Sequence, residues 1–349
     1  MDSRDVIVIG GSAGSTAPLK TLIAGLPAEF PGTVFIVTHV PRHGLRLLGQ
    51  VLQGQTQLEV GYPQDGDPVL AGRIYVGPPD RHLMVRSGRI VLGGGPKENM
   101  ARPAIDPLFR SAALEYGPRV VGVILSGLLN DGASGLAAVK QCGGYAIVQD
   151  SEEAEAPDMP QAALAAAAVD RAARSSEIAE LILAQTREGS AARAHVAPPP
   201  GLRLEVEIAA GGYVSTPKTA MIAKPATFVC PDCNGVLSEV EGELPLRYRC
   251  QIGHAVTGEV LEAAKHEQME VALRTAMRVM EERATLVARL LQAAHDAGRS
   301  HAAQLYADRL GEYRAQAKIL RETILDLMNS EPSNAAAAQD FPPYRATKR

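Results

Sequence analysis

The stretch Val6-Ile7-Val8-Ile9-Gly10-Gly11-Ser12-Ala13-Gly14 is followed by a helix-forming segment at 18–25 and by a second apolar run, Thr33-Val34-Phe35-Ile36-Val37-Thr38. Each run is strand-sized, β-branched and apolar at consecutive positions, which is the composition of a strand buried on both faces. The small residues at 10–14 read as a tight turn, and Pro18 falls in the first turn of the helix, where its missing amide costs nothing. Strand, turn, helix, strand is a βαβ unit with parallel pairing. Further strands are expected at 72–76, 83–85, 89–92, 120–125 and 145–148, the second and third of these forming a hairpin on the sheet's edge.

Working outward, the expected fold class is α/β, a doubly wound and mainly parallel sheet over residues 1–188. A linker is expected at 189–226, with Pro198-Pro199-Pro200 and one isolated strand in the alternating Leu202-Arg203-Leu204-Glu205-Val206-Glu207-Ile208. A compact cysteine-bearing module follows at 227–257. A helical hairpin is expected at 258–329. Its apolar faces carry Met269, Leu273, Met280, Val287 and Leu291 on one helix and Leu310, Tyr313, Ala317, Leu320, Ile324 and Leu327 on the other. Residues 330–349 lack periodicity and are expected to be disordered.

A length of 349 residues exceeds one ordinary domain, in keeping with this division. Lys and Arg total 35 against 39 Asp and Glu, so no global basic field draws the chain to nucleic acid. Aromatic residues make up only 4%, with no Trp, which leaves little for base-stacking platforms. The longest apolar runs are far short of the roughly 20 residues that cross a bilayer. The charged start, Met1-Asp2-Ser3-Arg4-Asp5, is unlike a secretory signal, and a cytoplasmic location is expected.

Gly10-Gly11-Ser12-Ala13-Gly14 fits the G-x-S-x-G nucleophile pattern between a strand and a helix. The small residues lift the Ser12 hydroxyl above the sheet end, and the amides of Ala13 or Gly14 are candidates to hold an oxyanion. A plain helix cap is the alternative. A dinucleotide loop fails because Ser12 takes the second glycine position, and a P-loop fails for want of Gly-Lys-Ser/Thr. His39 ends the second strand, and Asp131, in Asn130-Asp131-Gly132, follows the strand at 120–125. In a doubly wound sheet such strand-end residues converge in one crevice. A strand-end histidine or an Asn-Asp-Gly turn alone is usually structural. Together the three predict acyl transfer, in which His39 takes the Ser12 proton, Asp131 orients the imidazole, and no cofactor is needed. The chain order Ser, His, Asp differs from that of α/β-hydrolases and argues against a lipase of that fold.

Four blocks, Ile9 to Gly14, Thr38-His39-Val40-Pro41, Ala101-Arg102-Pro103-Ala104-Ile105-Asp106-Pro107-Leu108-Phe109, and Leu125-Ser126-Gly127-Leu128-Leu129-Asn130-Asp131-Gly132, resemble the chemotaxis protein-glutamate methylesterases of CheB type. The resemblance covers residues 4–185. It implies a Ser-His-Asp hydrolase that demethylates glutamyl methyl esters on methyl-accepting chemoreceptors or another methylated protein and, in many members, deamidates glutamines. The matching catalytic positions are Ser12, His39 and Asp131. Met159-Pro160 resembles the family's Met-Pro loop. Chemotaxis members usually carry an N-terminal receiver, which is expected to be absent here, since the first strand begins near residue 5. A non-catalytic signalling scaffold built on the same fold is the alternative. Arg102 is read as a solvated arginine outside the site.

Cys230-x2-Cys233, sixteen residues, then Cys250-x3-His254 is the spacing of two knuckles that close a tetrahedron around zinc. A redox Cys-x-x-Cys would need a thioredoxin-like βαβ setting, absent here. Four protein ligands leave no open position, so the expected zinc is structural, in a zinc-ribbon-like module whose folding it decides. Cys142 stands alone, as a small buried side chain. The two amphipathic helices behind the module are expected to pack on each other, to dimerise or to dock a partner.

Overall fold

The computed structural model describes residues 3–44, 46–187, 196–212, 220–242 and 245–329. The opening run forms β1 (Val6–Gly11), followed by α1 (Thr16–Ala24), β2 (Thr33–Thr38), α2 (Leu48–Gln53), β3 (Glu59–Gly61) and β4 (Arg73–Val76). A hairpin of β5 (His82–Arg86) and β6 (Arg89–Gly93) leads into α3 (Ile105–Tyr116) and β7 (Val120–Ile124). The unit then continues through α4 (Ala133–Gln141), β8 (Tyr145–Gln149), α5 (Asp158–Ala166), β9 (Arg171–Ala173) and α6 (Ser175–Arg187).

Seven strands pair in the order β3-β4-β2-β1-β7-β8-β9, all parallel. The chain builds one half of the sheet on one side of β1, then returns to β7 on the other side and builds the second half. Alternate side chains of each strand enter different cores, as the pleat requires. Val6, Val8, Phe35 and Val37 pack with Leu108, Phe109 and Leu136, whereas Ile7, Ile9, Val34 and Ile36 pack with Leu19, Leu22, Ile178 and Ile182. The continuous apolar runs thus cover both faces of one doubly wound sheet. The β5–β6 hairpin differs from expectation. It is a separate two-stranded sheet laid on α3, where Leu83, Val85 and Ile90 join the first core, while β3 and β9 form the sheet edges.

The stretch expected as an isolated strand in the linker is a helix, α7 (Leu202–Ala209). Its alternation of apolar and charged residues mimics period two, but Leu202, Glu205, Val206, Ile208 and Ala209 are the buried set, a helical stripe that includes a carboxylate. Val206 and Ala209 pack on Met84 of β5, and Gly95 N–H donates to Ala209 O at 3.1 Å.

The cysteine-bearing segment forms a four-stranded antiparallel sheet, β10 (Ala223–Val229), β11 (Val236–Val240), β12 (Arg247–Cys250) and β13 (Ala255–Thr257), in sequence order. It belongs to the same compact unit as the large sheet, Met1–Glu262. Residues from Ala263 onward form a second unit. Within it, Arg283 stacks over the Tyr313 ring at 4.1 Å, and Arg321 pairs with Glu281, which brings the long helices Gly258–Asp296 and Ser300–Asn329 together as an antiparallel pair. The expected tail at 330–349 lies outside the described residues.

Candidate active site and metal centre

Parallel pairing sets Gly11 opposite Thr38 and Gly10 opposite Ile124. Ser12 and His39 are the next residues along β1 and β2, and the loop after β7 carries Asp131. The structure therefore brings all three to one end of the sheet, beside the switch in winding between β1 and β7, where open α/β sheets take their ligands.

His39 Nε2 lies 2.7 Å from Asp131 Oδ2. The histidine side chain is 26% exposed and the aspartate 2%, so the pair joins the surface to the interior. The same carboxylate oxygen accepts the Ile105 amide at 2.7 Å, and Oδ1 accepts Asn99 Nδ2 at 2.9 Å and the Asp106 amide at 3.3 Å. Burial alone would push this carboxyl up. The hydrogen bond and charge of His39, with the Ile105 amide and Asn99, outweigh burial and hold it below the usual carboxylate range. With Nε2–H donated to a carboxylate, His39 Nδ1 is the basic nitrogen.

Backbone bonds fix the Ser12 peptide on both sides. Its amide donates to Ser126 O at 2.9 Å, and its carbonyl accepts Ser15 N–H at 3.1 Å and Ser15 Oγ at 2.6 Å. The hydroxyl makes no hydrogen bond to protein among the described residues, and the Ala13 and Gly14 amides donate to none. Gly14 has φ +72, and a Cβ there would strike Glu155 and the Ser126 hydroxyl. Across the cleft, a Cβ on Gly127 would collide with the Met159 sulfur and come within 3.1 Å of the Ser12 Cβ. Met159 N–H donates to Gly127 O at 2.9 Å, which ties the Met-Pro segment to this wall. Leu128 and Leu129 stand exposed beside it.

Several residues around Asp131 escaped the sequence reading. Asp106 Oδ1 accepts the amides of Gly132 at 3.1 Å and Gly135 at 2.6 Å, pinning the turn that carries Asp131. Burial and the neighbouring Asp131 charge raise the Asp106 pKa to about 7. Asn99 Nδ2 reaches Asp106 Oδ2 at 3.2 Å as well as Asp131. Only its place just before the Arg-Pro block signals Asn99. Arg102, expected to be solvated, instead pairs through Nε and Nη2 with Asp80 Oδ1, at 3.0 and 2.5 Å, and its Nη1 donates to Gly95 O at 2.8 Å.

Cys230, Cys233, Cys250 and His254 place their ligand atoms within 4.8 Å of one another. Two knuckles present them. Cys230 N–H donates to Gly235 O at 2.8 Å and Asn234 N–H to Cys230 O at 2.9 Å; Cys250 N–H donates to His254 O at 3.0 Å and Gly253 N–H to Cys250 O at 2.9 Å. The Cys233 and Cys250 sulfurs are 3.7 Å apart, and Cys250 Sγ is 3.5 Å from His254 Nδ1. Tetrahedral zinc with bonds of about 2.3 Å to sulfur and about 2.0–2.1 Å to nitrogen requires roughly 3.8 and 3.6 Å for these separations. The donor set fits the ion.

The cysteine-bearing sheet meets α3, α7 and the loop before α3 through buried charges. Arg249, fully buried, donates to Glu98 and to Glu205, each at 3.2 Å. Arg110 pairs with Glu98, and Arg247 donates to Glu205 at 2.6 Å. These arginines hold both glutamates ionised, well below the usual range despite complete burial.

A strand-end serine, a histidine locked to a buried aspartate, and the Gly127–Met159 wall define a site that can be compared with known proteins. The family model for CheB methylesterases matches residues 7–182. The chain belongs to the CheB methylesterase family. It is 37% identical over 183 residues to a protein-glutamate methylesterase/protein-glutamine glutaminase of Anaeromyxobacter dehalogenans, covering 52% of this chain and 54% of that protein. A Yersinia pestis protein of the same name is 36% identical over 197 residues, 55% of this chain and 56% of its own. The chain thus spans about half the length of the curated relatives it matches. The crystal structure of the Thermotoga maritima CheB methylesterase catalytic domain superposes with a TM-score of 0.50 at 31% identity, over 52% of this chain and 97% of that one. The family's match ends before α7, so the cysteine-bearing sheet lies outside it. No helix among the described residues is long and apolar enough to cross a membrane.

Proposed function

We propose that this CheB-family chain is a protein-glutamate methylesterase that acts in the cytoplasm on methylated chemoreceptors and deamidates glutamines by the same route. Ser12 is the nucleophile, His39 the general base and then acid, and Asp131 the group that orients and charges the imidazole. Ser12 Oγ attacks the γ-carbonyl carbon of the glutamyl methyl ester while its proton passes to His39 Nδ1. The Ala13 and Gly14 amides, unengaged in the structure, stabilise the oxyanion. Collapse expels methanol, which takes the proton from His39. Water then gives a proton to His39 as it attacks the acyl-enzyme, the bond to Ser12 Oγ breaks, His39 returns the proton to Ser12 Oγ, and the glutamate side chain is freed. With glutamine, ammonia leaves in place of methanol. The imidazole closes on the Ser12 hydroxyl when substrate binds.

The observation that carries this reading is the 2.7 Å bond from His39 Nε2 to the buried Asp131 carboxylate, one strand from the Ser12 turn. Zinc at Cys230, Cys233, Cys250 and His254 is structural in this reading and supplies no chemistry to the ester. Methanol release from methylated receptor membranes tests the activity. Ser12→Ala should lower it by roughly 10³-fold or more. An unchanged rate in that variant would end the triad reading, and a wild type that releases no methanol and takes no adduct from a serine-directed phosphonate would leave the scaffold alternative standing.

A further inference from the structure

Asn99 touches two regions of the chain at once. Its amide donates to Ala255 O at 2.8 Å, and its side-chain oxygen accepts Thr257 N–H at 3.1 Å, both on β13. Its side-chain nitrogen donates to Asp131 Oδ1 at 2.9 Å and to Asp106 Oδ2 at 3.2 Å. Every polar group named here is engaged, and the residue sits at φ +49, a left-handed conformation that the flanking bonds hold. β13 begins one residue after His254, the fourth ligand of the metal site. A short path therefore runs from His254 through β13 to Asn99, to Asp131 and to His39, in which each non-covalent step is a hydrogen bond of 3.1 Å or less.

A second connection runs beside the first. Thr257 Oγ1 donates to Asn130 Oδ1 at 2.6 Å, and Asn130 Nδ2 donates to Glu259 Oε2 at 2.6 Å. Asn130 and Thr257 are both fully buried, and Asn130 is bonded in sequence to Asp131. The turn that carries the aspartate is thus gripped by the strand that follows the metal knuckle.

The geometry points to a hydrolase governed by its metal: a zinc-type ion at Cys230, Cys233, Cys250 and His254, which never touches the substrate, sets turnover at Ser12 through the positioning residue Asn99. This rests on the functional reading above and adds its regulation. The element with two states is β13. This three-residue strand rests on a small core, Leu237, Tyr248 and Val256 with Val260, Leu261 and the Cys230 and Cys250 ligands themselves, and is ordered by the metal knuckle and released without it. Released, it leaves Asn99 without Ala255 and Thr257. The Asp131 carboxylate then loses a fixed donor, and the imidazole loses its orientation.

The test uses the full-length protein in three forms: zinc-loaded, stripped by chelator, and resupplied with zinc. Rates of methanol release and of phosphonate labelling at Ser12 are read together with the low-field proton resonance of the His39–Asp131 hydrogen bond. Stripping should lower kcat by roughly 10- to 100-fold, the loss usual when a partner of an active-site ligand is removed, with KM unchanged. It should also abolish the low-field resonance, and zinc should restore both. Asn99→Ala, with its zinc content verified, should show the same fall in kcat and become insensitive to the chelator. Thr257→Val, which removes the hydroxyl at constant shape, should fall between the two. Equal kcat and an unchanged resonance in the stripped protein overturn the coupling, as does an Asn99→Ala variant that loses a further 10-fold on stripping. If the zinc-loaded wild type releases no methanol, the functional reading fails. The resonance still decides the coupling, since its persistence after stripping refutes it and its loss and return support it.

Discussion

Around Phe35 the large sheet buries apolar side chains on both faces, with Ile7, Ile9, Val34 and Ile36 on one side and Val8, Phe35 and Val37 on the other. In the small sheet at 223–257 the buried apolar set is chiefly Leu237, Tyr248 and Val256 with two cysteines, and its contact to the rest of the unit is polar, the buried charges Glu98, Arg110, Glu205, Arg247 and Arg249 beside the Asn99 and Asn130 bonds to β13. The first region holds itself together by area removed from water. The second depends on ion pairs that require every member present and, in the reading proposed above, on a donor set that a metal closes. A short strand in the second region nevertheless supports a carboxylate in the first. Stability and activity in one chain can therefore draw on different chemistry.

The comparison breaks most sharply under metal removal. Structural zinc in small modules contributes an apparent 10 to 16 kcal/mol, roughly, at neutral pH. Amide exchange followed by mass spectrometry should show the peptides of β10 to β13 losing protection when the metal is stripped, while β1, β2 and β7 keep theirs. Uniform loss across both sheets would mean that the two regions are not distinct. The reverse perturbation is Phe35→Ala, which empties a site at 0% exposure stacked on Tyr75 at 5.4 Å. It should cost about 3–5 kcal/mol in urea unfolding and leave zinc content unchanged. A smaller effect probes the seam. Asp106, raised to about 7 from an ordinary 3.8, keeps its proton in the folded protein where the unfolded chain has lost it. Its contribution is complete below the unfolded value and disappears as pH rises through about 7. Wild-type stability should therefore fall between pH 5 and pH 7 relative to Asp106→Asn, and parallel curves would remove Asp106 from the account.

The meeting of Ser12, His39 and Asp131 at one end of the sheet was legible because each follows a strand whose apolar run is plain in the sequence, and parallel pairing brings such ends together without further information. The clustering of Cys230, Cys233, Cys250 and His254 was legible through local spacing for a similar reason. Asn99 was not, since its role depends on Thr257, far along the chain, and no periodicity reports such a partner. Leu202–Ala209 was misread because its buried positions include Glu205, whose partners Arg247 and Arg249 lie in another element. A charged residue counts as outward in any pattern of hydrophobicity until the arginines that neutralise it are known.

The order of synthesis gives these contacts a sequence in time. β9, the last strand of the large sheet, ends at Ala173. Thr257 leaves the ribosome roughly 80 residues later, on the order of ten seconds at ordinary rates of elongation. When the large sheet is complete Glu98 and Arg110 have each other, but Glu205 is made only part-way through that interval and Arg249 near its end. Under the coupling proposed above, the nascent chain can complete its sheet well before it can process an ester, and the first competent molecule appears only when the last metal knuckle has closed.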